Sequence, residues 1–222
     1  MKNITLESLL EAGAHLGHQA KRWNPRMGKY LYGVRDGVSV FDLAKTKIAL
    51  EEALDILKKA KKEGKVILLV GTKKQAKKKV EEVAKVVGQP YVVERFLGGT
   101  LSNFDQILKS IKTITDLKDQ FAAGEFGDYT KKERLLIDRK IKKSEVIYGG
   151  IMSMKKLPDM LFVIDTHKEI GAVREAVRLN IPVVGVTDSN ADPDMVDYAI
   201  PMNDDATAAI DLVMDLVKEA LK

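Results

Sequence analysis

The 222-residue chain contains no cysteine, which excludes disulfides, thiolate metal sites and thiol nucleophiles together and suits a reducing cytosol. Its six prolines and 16 glycines are too few for wholesale disorder. No apolar run approaches the roughly 20 residues that cross a bilayer. The opening MKNITLESLLEAG, with Glu7 and Glu11, is too short and too acidic for a secretion signal. A cytoplasmic protein without a membrane partner is therefore expected. The phosphate-binding patterns GxxxxGK[ST] and GxGxxG are missing, as is the nucleophile motif GxSxG.

One absence is local. From Ala12 to Arg35 the chain runs 24 residues without an acidic side chain, yet it carries Lys21, Arg22, Arg26, Lys29, Arg35, His15, His18 and the only tryptophan, Trp23. Four glycines and Pro25 interrupt this stretch, so a sustained helix or strand is not expected there. Its composition fits either a nucleic-acid contact or a solvated arm whose Trp23 caps a core. Charge is also divided along the chain. Residues 1–157 hold 32 basic and 19 acidic groups, net +13, whereas residues 158–222 hold 5 and 13, net −8. Such asymmetry draws a polyanion to one side and orients the molecule as it docks. The run Lys77, Lys78, Lys79 reads as a solubilising surface.

What is present is strongly patterned, and 45% apolar content suffices for a sizeable core. SVFD (39–42) reads as a short strand, and Leu43 to Glu63 as a helix with apolar positions at Ile48, Leu50, Ala53, Leu54 and Leu57, ended by Gly64. VILLV (66–70) has the continuous apolar character of a strand buried on both faces. A helix from Thr72 to Gly88, a strand YVVE (91–94), a strand LFVID (161–165), a helix from about His167 to Leu179, a strand PVVGVTD (182–188), a short strand at Ala199 and Ile200, and a helix from Asp205 follow. This order predicts a doubly wound α/β domain with a parallel sheet. Residues 104–155 interrupt it. Ile107, Ile111, Ile114, Leu117 and Phe121 keep helical spacing, Gly124 and Gly127 mark a turn, and Leu135 to Ile147 is helical again. The expectation is a helical, coiled-coil-like hairpin inserted between the α/β segments 1–103 and 156–222, with Lys109 and Lys112 on its basic outer face.

Strand-to-helix loops are the usual ligand sites of such a sheet. GTKK (71–74) offers backbone N–H groups, Lys73 and Lys74 at a helix start, an arrangement suited to a nucleotide or to an RNA phosphate. Asp165, Asp188, Asp192, Asp204 and Asp205 stand at or after strand ends, where a metal hydrolase keeps carboxylates, but such aspartates more often cap helices and form turns. No metal, cofactor, small-molecule substrate or catalysis is expected. In RFLGGTLSNF (95–104), Arg95 and Asn103 supply charge and hydrogen bonds, Gly98, Gly99 and Thr100 a close backbone approach, and Phe96 and Phe104 apolar faces.

GAHLGHQAKRWNPRM (13–27), LLVGTKKQA (68–76), RFLGGTLSN (95–103), YGGIMSMKKLPDMLFVID (148–165), NIPVVGVTDSNADPD (180–194) and IPMNDDA (200–206) together closely resemble the bacterial small-subunit ribosomal protein S-two family, in order from about Leu6 to Lys222. The resemblance implies a flavodoxin-like domain with a coiled-coil hairpin and a non-enzymatic role in the small subunit. It also implies contacts with small-subunit rRNA near the head and body junction, and help in docking the mRNA-recruiting ribosomal protein S-one beside neighbouring small-subunit proteins. Leu16 stands where the family often has Phe, Phe96 where it often has Trp, and the long acidic tail of many members is missing. Phosphate contacts are expected from Lys21, Arg22, Arg26 and Lys29 with Asn24 beside them, while His15, His18, Trp23 and Phe96 are expected to pack. An enzyme on the same fold using GTKK and Asp188, and a free RNA-binding module, are the alternatives.

Overall fold

The computed structural model describes residues 4–222. Its centre is a five-stranded, all-parallel sheet of β4 (Ile67–Val70), β5 (Tyr91–Val92), β6 (Met160–Ile164), β7 (Val183–Thr187) and β8 (Tyr198–Pro201), in the order β5-β4-β6-β7-β8. Counted within this sheet alone the order is 2-1-3-4-5, a doubly wound parallel sheet as the strand and helix alternation predicts, in the flavodoxin-like order that the resemblance implies.

Both faces of the sheet are covered, and residue alternation divides them. Ile67, Leu69, Phe162, Ile164, Val184 and Val186 enter one core with Leu9 of α1 (Leu6–Glu11) and with α2 (Leu43–Lys62), α3 (Lys77–Val87) and α7 (Thr207–Ala220). Leu68, Val70, Leu161, Val163 and Val183 enter a second core with α6 (Ile170–Arg178) and the start of α4 (Phe104–Ala122). A strand with both neighbouring faces buried has no polar position to show, which is why these segments read as unbroken apolar runs. In α2, Leu50, Ala53, Leu54, Leu57 and Ala60 are buried, but Ile48 is exposed, off the apolar stripe to which its spacing assigns it. Asp42 caps this helix by accepting the Ala44 N–H at 3.1 Å.

Several boundaries differ from expectation. The helix after β4 starts at Lys77, not Thr72, because residues 73–76 close a separate turn in which the N–H groups of Ala76 and Lys77 both donate to the Lys73 carbonyl. Strand β5 ends at Val92, where its ladder with β4 runs out opposite Val70. The helices expected from about His167 and from Asp205 begin at Ile170 and Thr207, since Asp165 and Asn203 first form turns with the N–H groups that follow them.

Helices α4 and α5 (Lys131–Tyr148) are joined through residues 123–130, and Lys118 Nζ meets Glu145 Oε1 between them at 2.5 Å. The capping box at Thr130 and Glu133 starts α5. Phe104, Ile107 and Ile111 of α4 lie in the second core of the sheet, so the first turns of this helix belong physically to the α/β packing.

The largest departure lies in the acid-free stretch. Instead of an irregular arm it forms β1 (Leu16–Gln19), short 3-10 turns at Ala20–Arg22 and Pro25–Tyr30, and β2 (Leu31–Arg35). With β3 (Val38–Phe41) these make a small antiparallel sheet, ordered β1-β3-β2. The two-residue turn between β2 and β3 is Asp36-Gly37, both at positive φ (52° and 77°), the conformation that matches strand twist in a tight hairpin.

Candidate nucleic-acid interface

The N-terminal segment is laid across the carboxyl ends of the parallel strands. The Asn203 N–H donates to the Ala14 carbonyl at 3.1 Å and the Asn203 side chain to the Gly13 carbonyl at 2.9 Å. The His18 N–H donates to Ser189 Oγ at 2.8 Å, and the Asn24 N–H to the Ser189 carbonyl at 2.7 Å. Gly17 permits this approach, because a Cβ there would stand 2.8 Å from Ser189 Oγ. Asn24 then caps the following turn by accepting the Arg26 N–H at 3.0 Å.

Beneath it lies a cluster assembled from four strand ends. Lys73, after β4, sits 2.5 Å from Asp204, 2.6 Å from Asp205 and 3.3 Å from Asp165, which follows β6. His18 Nδ1 lies 3.0 Å from Asp188, which follows β7, and its Nε2 lies 3.6 Å from Asp205. Burial works against the Lys73 ammonium, but the surrounding carboxylates outweigh it and hold its pKa above the usual lysine range. Burial, with the neighbouring Asp188 and Asp165 charges, pushes the Asp204 carboxyl up to about 8. The hydrogen bond to Asp188 raises the His18 pKa against the opposing effect of burial. For Asp188 itself burial acts upward, yet the His18 bond and the N–H groups of Ser189 and Asp204 hold it below the ordinary carboxylate range. One ligand atom each from His18, Asp188 and Asp205 falls within 4.8 Å of the others, a donor set able to hold a cation. Lys73 and His18 supply positive charge to this cluster from the chain itself.

The β4/β6 switch point, where ligands of doubly wound sheets usually bind, is thus filled by Lys73 and its carboxylates. This corrects the reading of GTKK as an open anion loop. Lys73 is turned inward because the buried aspartates need a counter-charge, and the Thr72 hydroxyl is tied to the buried Glu169. Lys74 alone of the pair is exposed.

A second internal carboxylate shapes residues 95–103. Glu175 of α6 accepts the N–H groups of Gly99 at 2.5 Å, Leu101 at 2.9 Å and Ser102 at 3.0 Å. Burial acts against its charge, but these three bonds hold its pKa below the ordinary glutamate value. The backbone donors of Gly99, Leu101 and Ser102 are therefore occupied from within. Thr100 is buried, its hydroxyl donating to the Leu97 carbonyl at 2.6 Å, and Phe96 packs against the second core. Arg95, Gly98 and Asn103 face outward, as do Lys109 and Lys112 on α4.

Among the basic residues of the N-terminal segment the structure separates two kinds. Arg26 pairs with Asp192 at 2.5 Å and Lys29 with Asp194 at 2.8 Å. Both expected phosphate ligands are thereby shared with the loop after β7, which the sequence separates from them by more than 160 residues. Lys21, Arg22 and Arg35 are exposed and, among the described residues, carry no ion pair. Trp23 remains 42% exposed, so it does not pack as completely as expected. Glu169, Glu175 and Ser189 organise these loops and carry no local sequence signal, whereas Asp36-Gly37 between apolar alternations is a legible hairpin signature.

The fold and this geometry define a doubly wound α/β protein whose switch-point crevice is filled by its own ion pairs and whose unpaired cations lie outside it. Comparison with known proteins makes the assignment particular: residues 9–222 match the family described as "Ribosomal protein S2". The chain is 48% identical over 218 residues to "Small ribosomal subunit protein uS2" of a Nitratiruptor species, covering 98% of this chain and 82% of that protein. It is 46% identical over 217 residues to the protein of that name in Roseiflexus sp. (strain RS-1), covering 98% and 83%, and 47% identical over 221 residues to that of Porphyromonas gingivalis (strain ATCC 33277), covering 100% and 79%. The chain belongs to the ribosomal protein S2 family, and its role is structural and not enzymatic. No helix among the described residues is long and apolar enough to cross a membrane.

Proposed function

We propose that the chain is a structural constituent of the small ribosomal subunit that binds small-subunit rRNA and helps dock the mRNA-recruiting ribosomal protein S-one beside neighbouring small-subunit proteins, within the cytoplasm. The observation that carries this reading is the outward display of Lys21, Arg22 and Arg35 on a segment that has no acidic residue from Ala12 to Arg35 and is pinned rigidly to the sheet. Cations held on a fixed scaffold bind phosphate without first losing chain entropy. Lys74, Arg95, Asn103, Lys109 and Lys112 are proposed as further exposed contacts, with Gly98 leaving open backbone and Gly99 and Thr100 shaping the turn. Arg26 and Lys29 contribute while remaining paired to Asp192 and Asp194, and Lys73 acts from below by fixing the loop that carries Lys74. The acidic segment 158–222 is the side proposed for protein contacts. The hairpin of residues 104–155 is proposed as a coiled-coil insert between the α/β segments 1–103 and 156–222, its basic face toward RNA.

The test replaces Lys21 and Arg22 together by Ala and measures incorporation into small subunits along with RNA affinity at several salt concentrations. Reduced incorporation and a salt slope lowered by about 1 to 2 support the reading, since each neutralised phosphate adds roughly 0.7 to 0.9 to that slope. Undiminished incorporation with an unchanged slope rules out this segment as an RNA grip. Absence of the protein from the small-subunit fraction of a cell extract sedimented in high magnesium rules out the ribosomal reading as a whole.

A further inference from the structure

We infer that the hollow between Trp23 and Tyr32 is a stacking site for an unpaired RNA base, an inference that rests on the RNA-binding reading and deepens it. The hollow measures about 220 Å³ and is lined by Trp23, Gly28, Leu31, Tyr32, Gly33 and Val34. Two large aromatic groups bordering one hollow are exposed, Trp23 by 42% and Tyr32 by 84%. Glycines shape the space. A Cβ on Gly28 would stand 3.4 Å from the Trp23 ring, and one on Gly33 would meet nothing within 4 Å, so the strand beside Tyr32 is an open shelf.

The walls are fixed before any ligand arrives. Asn24, next to Trp23, is bonded to the Ser189 carbonyl, and β2, which carries Tyr32, is paired to β3. Lys21 and Arg22 adjoin Trp23 in the chain, and Arg35 follows Val34. A π-surface flanked by exposed cations matches a base attached to its phosphates, the combination by which proteins hold single-stranded nucleic acid. A protein strand added along β2 fits less well. The β2–β3 register shifts between Leu31 and Gly33, which breaks the regular edge such a strand needs, and Gly33 offers no side chain to pair with.

Because Trp23 is the only tryptophan, the fluorescence of the full chain reports on this hollow directly. Titration with a short single-stranded oligouridylate will quench Trp23 emission saturably, whereas the same length of duplex RNA and inorganic phosphate will leave it nearly unchanged. Tyr32→Ala, at a position exposed enough to spare the fold, will weaken the single-strand affinity about tenfold without altering the salt slope, the effect of losing one stacked base. Lys21→Ala with Arg22→Ala will lower the slope yet leave the quenching at saturation intact. RNA retention on a filter with unchanged Trp23 emission, equal quenching by duplex or by phosphate, or an unaffected Tyr32→Ala variant each overturns the base site while leaving phosphate binding in place. Loss of filter retention by the unmodified protein overturns both readings.

Discussion

Replacing Lys73 by Met separates a structural lysine from a phosphate-binding one. The substitution keeps most of the side-chain length and removes the charge from between Asp204 at 2.5 Å, Asp205 at 2.6 Å and Asp165 at 3.3 Å. At an effective permittivity of about 20, each such contact carries roughly 5 to 7 kcal/mol of gross attraction, most of it offset by desolvation. Asp205 is half-exposed and contributes little after solvent screening, but Asp204 is 1% exposed and Asp165 nearly as buried. Breaking buried pairs of this kind costs about 3 to 5 kcal/mol. The proton that Asp204 holds, with its pKa pushed up to about 8, blunts the loss near neutrality. The expected destabilisation at pH 7 is therefore about 3 kcal/mol, or a fall in Tm of about 6 to 12 °C for a chain of this size. The penalty will grow as pH rises through 8, because Asp204 must then either ionise without its partner or keep a proton the solvent would remove. Urea unfolding at pH 6 and pH 9 measures this, and adding Asp204→Asn to Lys73→Met will recover about half the loss. A destabilisation under about 1 kcal/mol accompanied by weaker RNA binding would rule out a structural role for Lys73 and return it to the phosphate ligands.

Glu175→Ala leaves three backbone donors of residues 99–102 without their acceptor and will cost about 2 to 3 kcal/mol, with faster hydrogen exchange at Gly99, Leu101 and Ser102; Glu175→Gln, which keeps an accepting oxygen, will cost less. Gly150→Ala places a Cβ 2.1 Å from the Tyr91 carbonyl oxygen, so the base of α5 or strand β5 must move; denaturant unfolding will show a loss of about 2 to 3 kcal/mol. Stability will fall as pH rises from about 5 to 9. The folded chain keeps the Asp204 proton, with its pKa up to about 8, that the unfolded chain has released above about 4. The His18 pairing adds stability that is complete below about 6.5 and is lost as pH passes its raised folded pKa. Unfolding free energy measured across that range will lose its slope at the low end, below about 8, in Asp204→Asn and only above about 6.5 in His18→Gln, and a flat profile in the unmodified protein would contradict both assignments.

The parallel sheet was legible because strands buried on both faces leave apolar runs such as VILLV and the start of LFVID, and helices packed on one side leave the 3.6-residue spacing of Leu50, Leu54 and Leu57. The small antiparallel sheet was not inferred, although Asp36-Gly37 marks its hairpin, because glycines and proline broke every longer period around it. Lys21 and Arg22 face outward as their segment suggested. Lys73 does not, since a lysine after a strand reads alike whether it meets solvent or buried aspartates.

The order of strands and helices, the division of charge and the family rest on neighbours in the chain or on patterns within a few turns, and so could be read before folding was known. Which cations are exposed and which are consumed depends on how the chain folds. The partners of Arg26, Lys29, Lys73 and the Gly99 turn are Asp192, Asp194, Asp204 and Glu175, each between about 70 and 170 residues away. Coulomb attraction and hydrogen bonding act through space at a few ångströms, and folding, not chain order, sets that distance.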